Sequence, residues 1–128
     1  MSDWKPRCLW HKRGEGFSVE VSLHYVDAQY GQGENRWCVY VYVFPKHPYF
    51  SKFKGTDIFQ EATESMPLHA GCSYLRYEGD GESISAVKVG CDYNHLHDDH
   101  FTHYATKNDA WEVFYDANTL FDWMEKAK

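Results

Sequence analysis

An alternating segment near the N-terminus constrains the fold more than any other feature of this sequence. From Phe17 to Tyr25, apolar residues alternate with serine, glutamate and histidine. This period of two is that of a β-strand with one buried face and one face in water. Such a strand needs neighbouring strands and a layer packed on its apolar face, so the rest of the chain must supply both.

Three further segments have the composition of strands. The run 36–44 is apolar or aromatic at most positions, which is typical of a central strand covered on both faces, and two prolines follow it. The segments 72–78 and 84–93 flank a turn rich in glycine and acidic residues, as in a β-hairpin. We therefore expect four strands, at 17–26, 36–44, 72–78 and 84–93, with the first two as neighbours.

A helical pattern occupies the C-terminal part of the chain. Apolar residues recur there at spacings of three and four: Ala110, Val113, Phe114, Ala117, Leu120, Phe121 and Met124. The pattern predicts an amphipathic helix at 107–126 that packs on the sheet, with Thr106 or Asn108 as its N-cap. A short helical turn is expected at 58–64. The expected fold is one α+β domain, the usual outcome for a chain of 128 residues.

Charge and hydropathy exclude several classes of protein. The formal net charge is −6 and the basic residues form no run, so a broad nucleic-acid surface is not expected. No segment approaches the ~18–20 apolar residues that span a bilayer, and the N-terminus lacks the apolar core of a secretion signal. We therefore expect a cytoplasmic protein with no membrane partner.

The cysteines argue for a reduced compartment as well. None of the four, Cys8, Cys38, Cys72 and Cys91, belongs to a CxxC pair, which excludes a zinc knuckle and a thioredoxin-type redox motif. Three of them lie in apolar runs, where a cysteine is usually a small buried apolar residue. A functional thiol at Cys72 or Cys91 is the less favoured alternative.

Histidine and aspartate cluster between residues 69 and 103. Five of the eight histidines lie in this stretch, interleaved with carboxylates. Imidazole nitrogens suit zinc, iron and nickel, whereas carboxylate oxygens suit manganese and magnesium. The stretch therefore predicts a site for a divalent metal and leaves open which of these five ions it holds.

Strand pairing indicates which residues of the cluster lie close together. In an antiparallel hairpin, the start of the strand 72–78 lies beside the end of the strand 84–93, which brings His69 close to Asp92. Residues three apart in a strand face opposite ways, so His95 joins Asp92 only where the strand bends or ends. The sequence places an asparagine at that point.

The same side chains belong to a longer pattern. The segment His69-Ala-Gly-Cys-Ser-Tyr74, followed by Gly90-Cys-Asp-Tyr-Asn-His-Leu-His-Asp98, resembles small phage and prophage proteins. These carry His-Gly-Gly-apolar-Thr-aromatic and then Gly-aromatic-Asp-x-x-His-x-x-Asp. Residue by residue, the resemblance marks His69, Asp92, His95 and Asp98. This chain departs from the pattern at Ala70, Cys72, Ser73 and Cys91. The resemblance implies a phage-related source rather than a particular reaction.

Two functions from different classes are compatible with the sequence. The first is a hydrolase of phosphoesters or similar bonds, in which a divalent metal makes a bound water more acidic. In it the ion is held by His69, Asp92 and His95, catalysis uses Asp98 and His97, and a small anionic substrate is bound by Arg76 and Lys88, which are expected to face each other across the hairpin. A site that senses or stores a ligand without converting it has the same sequence signature.

The second function is that of a non-enzymatic phage accessory protein that binds and inhibits a host protein, for instance a defence component. Its support is the abundance of tryptophan and tyrosine, which are enriched at the centres of protein interfaces. The cluster then has a structural alternative too, as a polar network that fixes a loop. For His97, Asp99, His100 and His103, the alternative is a solvated position or a hydrogen bond to the ligands.

Overall fold

A computed structural model of the chain, which describes residues 7–27, 32–80, 83–95 and 98–127, contains a five-stranded antiparallel sheet with helices on one face. The strands are β1 (Arg7–Gly14), β2 (Phe17–Tyr25), β3 (Asn35–Val43), β4 (Tyr74–Gly79) and β5 (Ile84–Asp92). Their order across the sheet is β1-β2-β3-β5-β4. The α+β class and the four predicted strands are confirmed, to within a residue or two at each end. The predicted number of strands is wrong.

The additional strand, β1, lies at one edge of the sheet and pairs only with β2. Its sequence lacks the alternation that marks its neighbour, and a bulge between Cys8 and Trp10 shifts the register. Leu9 is 44% exposed. The strand is therefore specified by backbone pairing more than by an apolar face, which is why its sequence does not predict it.

Within the described residues there are three α-helices: α1 (Glu61–Glu64), α2 (Asp99–Thr102) and α3 (Trp111–Lys126). The first confirms the short helical turn expected near 58–64. The last begins later than the predicted 107, because residues 107–110 form a turn. None of these helices has the length and apolarity that crossing a bilayer requires.

The predicted cap of α3 is also wrong. Its N-cap position is Ala110, which offers no side-chain hydrogen bond. Thr106 instead accepts the backbone N–H of Asp109 through its Oγ1 atom, at 3.2 Å, within the preceding turn. The helix relies on its apolar face, since every residue of the predicted stripe is buried.

The core lies between α3 and one face of the sheet. The strands contribute buried residues at every second position, chiefly Val19, Val21, Trp37, Val39, Val41, Val87 and Val89. Trp37 is fully buried and its indole N–H donates to the backbone oxygen of Tyr104 at 3.0 Å. The assignment of Asp92 to the opposite face from Cys91 and Tyr93 is confirmed by their burial.

No helix that the structure describes covers the other face of the sheet, and we call it the open face. β3 is nevertheless buried on both faces at most positions, as expected, because Arg36 and Cys38 on the open face are 8% and 5% exposed. Side chains of the face shield one another instead: the Nζ atom of Lys88 lies 4.3 Å from the centre of the Tyr40 ring and 3.9 Å from Oε1 of Glu20. Gly90 makes this possible, because a Cβ there would overlap the Tyr40 ring and lie 2.7 Å from the backbone oxygen of Val39.

Candidate metal centre

The Asp98 carboxylate is the centre of the histidine and aspartate cluster. It is 4% exposed, and each of its oxygens lies 2.9 Å from Nε2 of His69. Its Oδ2 atom also accepts the backbone N–H of His95 at 3.0 Å and lies 3.1 Å from Nδ1 of that ring. Since an ionised carboxylate only accepts hydrogen bonds, both imidazoles donate to it.

These contacts decide the charge of Asp98. Burial raises the pKa of its carboxyl group, but the hydrogen bonds from the His95 backbone and from the two imidazoles outweigh burial and leave that pKa below its ordinary value. Asp98 is therefore ionised at neutral pH although it is almost inaccessible to water. A buried carboxylate surrounded by nitrogen donors is a good ligand for a cation that displaces their protons.

A backbone hydrogen bond joins His95 to Asp98. The backbone N–H of Asp98 donates to the backbone oxygen of His95 at 2.9 Å, and β5 ends three residues before His95, at Asp92. This bond holds close together two residues that are three apart in sequence, whose side chains would face opposite ways within a strand.

His69 is held from the helix side of the sheet. Its ring stacks on Tyr93, with ring centres 4.2 Å apart and planes 14° apart, and contacts the edge of Phe101. Tyr93 is fully buried, and its hydroxyl donates to Oδ2 of Asp116 on α3 at 2.7 Å. The imidazole thus stacks on a ring that is itself anchored to α3.

The backbone after His69 is unusual. Ala70 and Gly71 both have positive φ, 57° and 89°. An alanine in this region costs roughly 1–2 kcal/mol, so the contacts that follow must maintain it. The two left-handed residues reverse the chain before β4 begins at Tyr74, which takes His69 away from the strand that it precedes.

The three side chains His69, His95 and Asp98 form a group that could hold a metal ion. One ligand atom from each, two imidazole nitrogens and a carboxylate oxygen, lie within 4.8 Å of one another. Ligands at ~2.0–2.2 Å from a tetrahedral ion are roughly 3.4 Å apart, close to the nitrogen–oxygen distances found here. The group would therefore supply three ligands of a tetrahedral ion and leave the fourth position for water.

Asp92 lies beside this group and not within it. It points to the open face, where its Oδ2 atom is 3.4 Å from the Ser73 hydroxyl, and its Oδ1 atom is 3.6 Å from Nδ1 of His95. The sequence predicts that His69 lies close to Asp92. In the structure, each of the two residues instead lies beside His95. The prediction that Asp92 binds the metal directly stays a prediction.

A cavity of about 300 Å³ opens on the open face next to Asp92. His24 and Arg36 line it, facing each other across β2 and β3. The Nδ1 atom of His24 is buried and has no hydrogen-bond partner among the described residues. Burial and the nearby guanidinium lower the pKa of this imidazole, which keeps it neutral. Both residues were missed by the sequence reasoning, although a histidine and an arginine opposite each other in a hairpin are a usable signal.

The two predicted substrate cations do face each other across β4 and β5, since Arg76 pairs with Lys88 in the register. Arg76 is exposed and its Nε atom is 3.9 Å from Oε2 of Glu78. Lys88 is occupied by Glu20 and by tyrosine rings of the open face. Four residues along a strand separate Lys88 from Asp92, roughly 13 Å. Binding of an anionic substrate by these two residues stays a prediction.

The remaining polar residues of the stretch lie at its surface. Asp99, His100 and His103 are exposed. His97 lies outside the described residues. The buried thiols are as expected: Cys38, Cys72 and Cys91 are buried and free, and burial raises the pKa of Cys91 to about 12, so it is a neutral thiol.

Comparisons of the chain with known protein families, with curated proteins and with solved structures give no significant match.

Proposed function

We propose that this protein is a small metal-dependent hydrolase whose ion is bound by His69, His95 and Asp98. The observation that carries the proposal is the convergence of three ligand atoms within 4.8 Å around a buried, ionised carboxylate. Two imidazoles and one carboxylate favour zinc first, with iron, nickel and manganese next, and magnesium last because it prefers oxygen ligands. The ion would polarise the substrate and make a bound water a nucleophile at neutral pH.

Asp92 is proposed as the general base. It is the carboxylate next to the group whose side chain is accessible, 42% exposed against 6% for Asp98, and it lies 3.6 Å from the ring nitrogen of His95. A base in this position can accept a proton from water at the open ligand position. The cavity beside Asp92 would hold the substrate, a phosphoester or a similar ester. A phage or prophage origin, acting in the host cytoplasm, is part of the proposal and rests on the sequence resemblance.

Metal content is the direct test. We expect protein stripped with EDTA to take up one equivalent of zinc, measured by calorimetry and by elemental analysis. His69→Ala and His95→Ala should each weaken binding by at least about 100-fold, since even residues that only orient ligands contribute about 10–100-fold. The exposed histidines provide matched controls, His11→Ala and His103→Ala, which should bind as the wild type does. Wild-type protein that takes up none of the five metals would exclude the proposal.

Turnover is tested separately with aryl phosphomonoesters and phosphodiesters. Asp92→Asn should abolish hydrolysis and keep the metal, because it removes the base and not a ligand. Stoichiometric metal without hydrolysis of any ester would instead support a site that senses or stores the ion.

A second candidate function, binding and inhibition of a host protein, is favoured by one observation. Trp111 and Tyr115 are 61% and 65% exposed and contact each other on the outer side of α3. Exposed aromatic pairs are frequent anchors of protein interfaces. We expect a bacterial host lysate to yield a partner that Trp111→Ala loses and His69→Ala keeps. The converse pattern would connect the partner with the metal centre.

A further inference from the structure

A second cavity, of about 710 Å³, lies at the other end of the molecule from the metal centre. It opens between the segment after β3 and the C-terminal end of α3. The metal centre adjoins the first part of β3, where Cys38 pairs with Asp92, and the segment that lines the cavity follows the last residue, Val43. From Cys38 to Val43 the strand runs roughly 17 Å, which separates the two sites. This second cavity, the lysine-lined cavity, is therefore independent of the proposed hydrolase site.

Its floor is aromatic. Tyr49 and Trp123 meet edge to face, with ring centres 5.0 Å apart and planes 76° apart. The Tyr49 hydroxyl donates to the backbone oxygen of Ala62 at 2.6 Å, which fixes that ring, while Trp123 is half-buried. A planar ligand can stack on a tryptophan presented in this way.

Its rim is positively charged. Lys52, Lys54 and Lys126 all line the cavity, and all three are exposed. None of the three forms an ion pair with an acid in the described parts of the chain, and Glu61 is the acidic residue of the wall. In a chain of net charge −6, three ammonium groups without an acidic partner around one cavity reverse the overall charge locally. The Nζ atom of Lys52 lies 5.5 Å from the centre of the Tyr49 ring.

The wall that carries Lys54 is fixed before any ligand arrives. The backbone N–H of Lys54 donates to Oε1 of Gln60 at 2.7 Å, and the amide group of Gln60 donates to the backbone oxygen of Asp57 at 2.6 Å. Thr63 closes the same loop through its hydroxyl, which donates to the backbone oxygen of Ile58 at 2.7 Å. A wall that needs no reordering loses less conformational entropy on binding.

The C-terminal end of α3 carries partial negative charge, which opposes an anion. The structure offsets it in two ways. Nδ1 of His47 accepts the backbone N–H of Tyr49, so Nε2 carries the proton and donates to the backbone oxygen of Met124 at 3.0 Å, in the last turn. Lys126, also in that turn, adds a full positive charge. The balance at the rim stays positive.

We propose that the lysine-lined cavity binds a small molecule that joins a phosphate group to a planar ring, the chemical class of the nucleotides. The ammonium groups contact the phosphate as point charges, and Trp123 stacks on the ring. The volume is in the range of small-molecule sites, about 300–1,000 Å³. The acidic remainder of the protein repels a long polyanion, so a single nucleotide is favoured over a nucleic-acid strand.

Calorimetry with adenosine monophosphate, adenosine and inorganic phosphate tests the three parts of the proposal. We expect the nucleotide to bind more tightly than either fragment, and more weakly at 300 mM than at about 50 mM salt. Lys52→Ala and Lys126→Ala should each weaken binding at least about fivefold, and the double variant more than either. Trp123→Leu should reduce the preference for the nucleotide over phosphate.

Two controls make the result specific. Lys107→Ala removes the same charge near the other end of α3, where its Nζ atom lies 5.2 Å from the centre of the Phe114 ring, and should bind the nucleotide normally. The titrations are made in the presence of EDTA, so that the metal centre holds no ion and nucleotide binding is separated from the proposed hydrolase site. The proposal is overturned if the nucleotide does not bind, if phosphate binds equally well, or if Lys107→Ala weakens binding as much as the cavity variants.

Discussion

Replacing Asp98 by alanine in metal-free protein tests whether the cluster stabilises the fold without an ion. The variant loses the contacts of the carboxylate with three donor groups, at 2.9–3.1 Å: the ring of His69, and the backbone and ring of His95. The hydrogen bond from the backbone N–H to an ionised oxygen contributes about 1.5–3 kcal/mol. The imidazoles are 26% and 37% exposed, so water replaces much of what they lose.

The substitution also removes the unfavourable burial of a carboxylate. Taken together, we expect Asp98→Ala to lower the free energy of unfolding by about 2 kcal/mol, a large part of the roughly 5–15 kcal/mol of a whole domain. Asp98→Asn keeps an acceptor for the backbone N–H and should lose less.

Urea denaturation at pH 7 in the presence of EDTA, followed by tryptophan fluorescence, measures the change. With a slope of about 1–3 kcal/mol per molar urea, the midpoint should fall by roughly 1 M, with the slope itself unchanged. Asp99→Ala, which removes the neighbouring exposed carboxylate, should stay within about 0.5 kcal/mol of the wild type. If metal-free Asp98→Ala is as stable as the wild type or more stable, burial outweighs the hydrogen bonds and the reasoning is refuted.

Two further predictions concern the open face. Gly90→Ala places a Cβ against the ring of Tyr40 and 2.7 Å from the backbone oxygen of Val39, and should lower the free energy of unfolding by about 1–3 kcal/mol in the same assay. An unchanged midpoint would show that both the ring and the backbone move aside freely. Burial raises the pKa of Cys38 to about 11, so only about one thiol in a thousand is ionised at pH 8. Iodoacetamide should therefore modify exposed Cys8 well before Cys38, as peptide mass spectrometry would show, and equal rates would contradict the burial of Cys38.

Much of the fold follows from periodicity alone. The alternation in β2 and the apolar stripe of α3 each identify an element by the face that it buries, and both are confirmed. Periodicity does not predict β1, because an edge strand can be held by backbone hydrogen bonds, which require no particular side chains. The start of α3 is wrong for a related reason: residues 107–110 satisfy the helical spacing but form a turn.

The candidate site was predicted in part. The predicted hairpin correctly places the site at one end of β4 and β5, and three of the four side chains selected from the sequence converge there. The partner of His69 could not be predicted from strand parity, because Ala70 and Gly71 reverse the chain through left-handed conformations before β4 begins. His69 therefore reaches Asp98 from the helix side. The alternation of side chains between two faces holds only within strands, whereas the residues of this site lie before β4 and after β5.

The chain segment that forms the site is short, since 29 residues separate His69 from Asp98. Most of that segment is the hairpin of β4 and β5, whose formation brings its two ends together. Closing a loop of this length needs no contact with the first half of the chain and can precede the slower pairing of distant strands. The three ligands can therefore become neighbours before the strands of the first half have paired, and an ion bound at that stage would stabilise the hairpin ahead of the rest of the sheet.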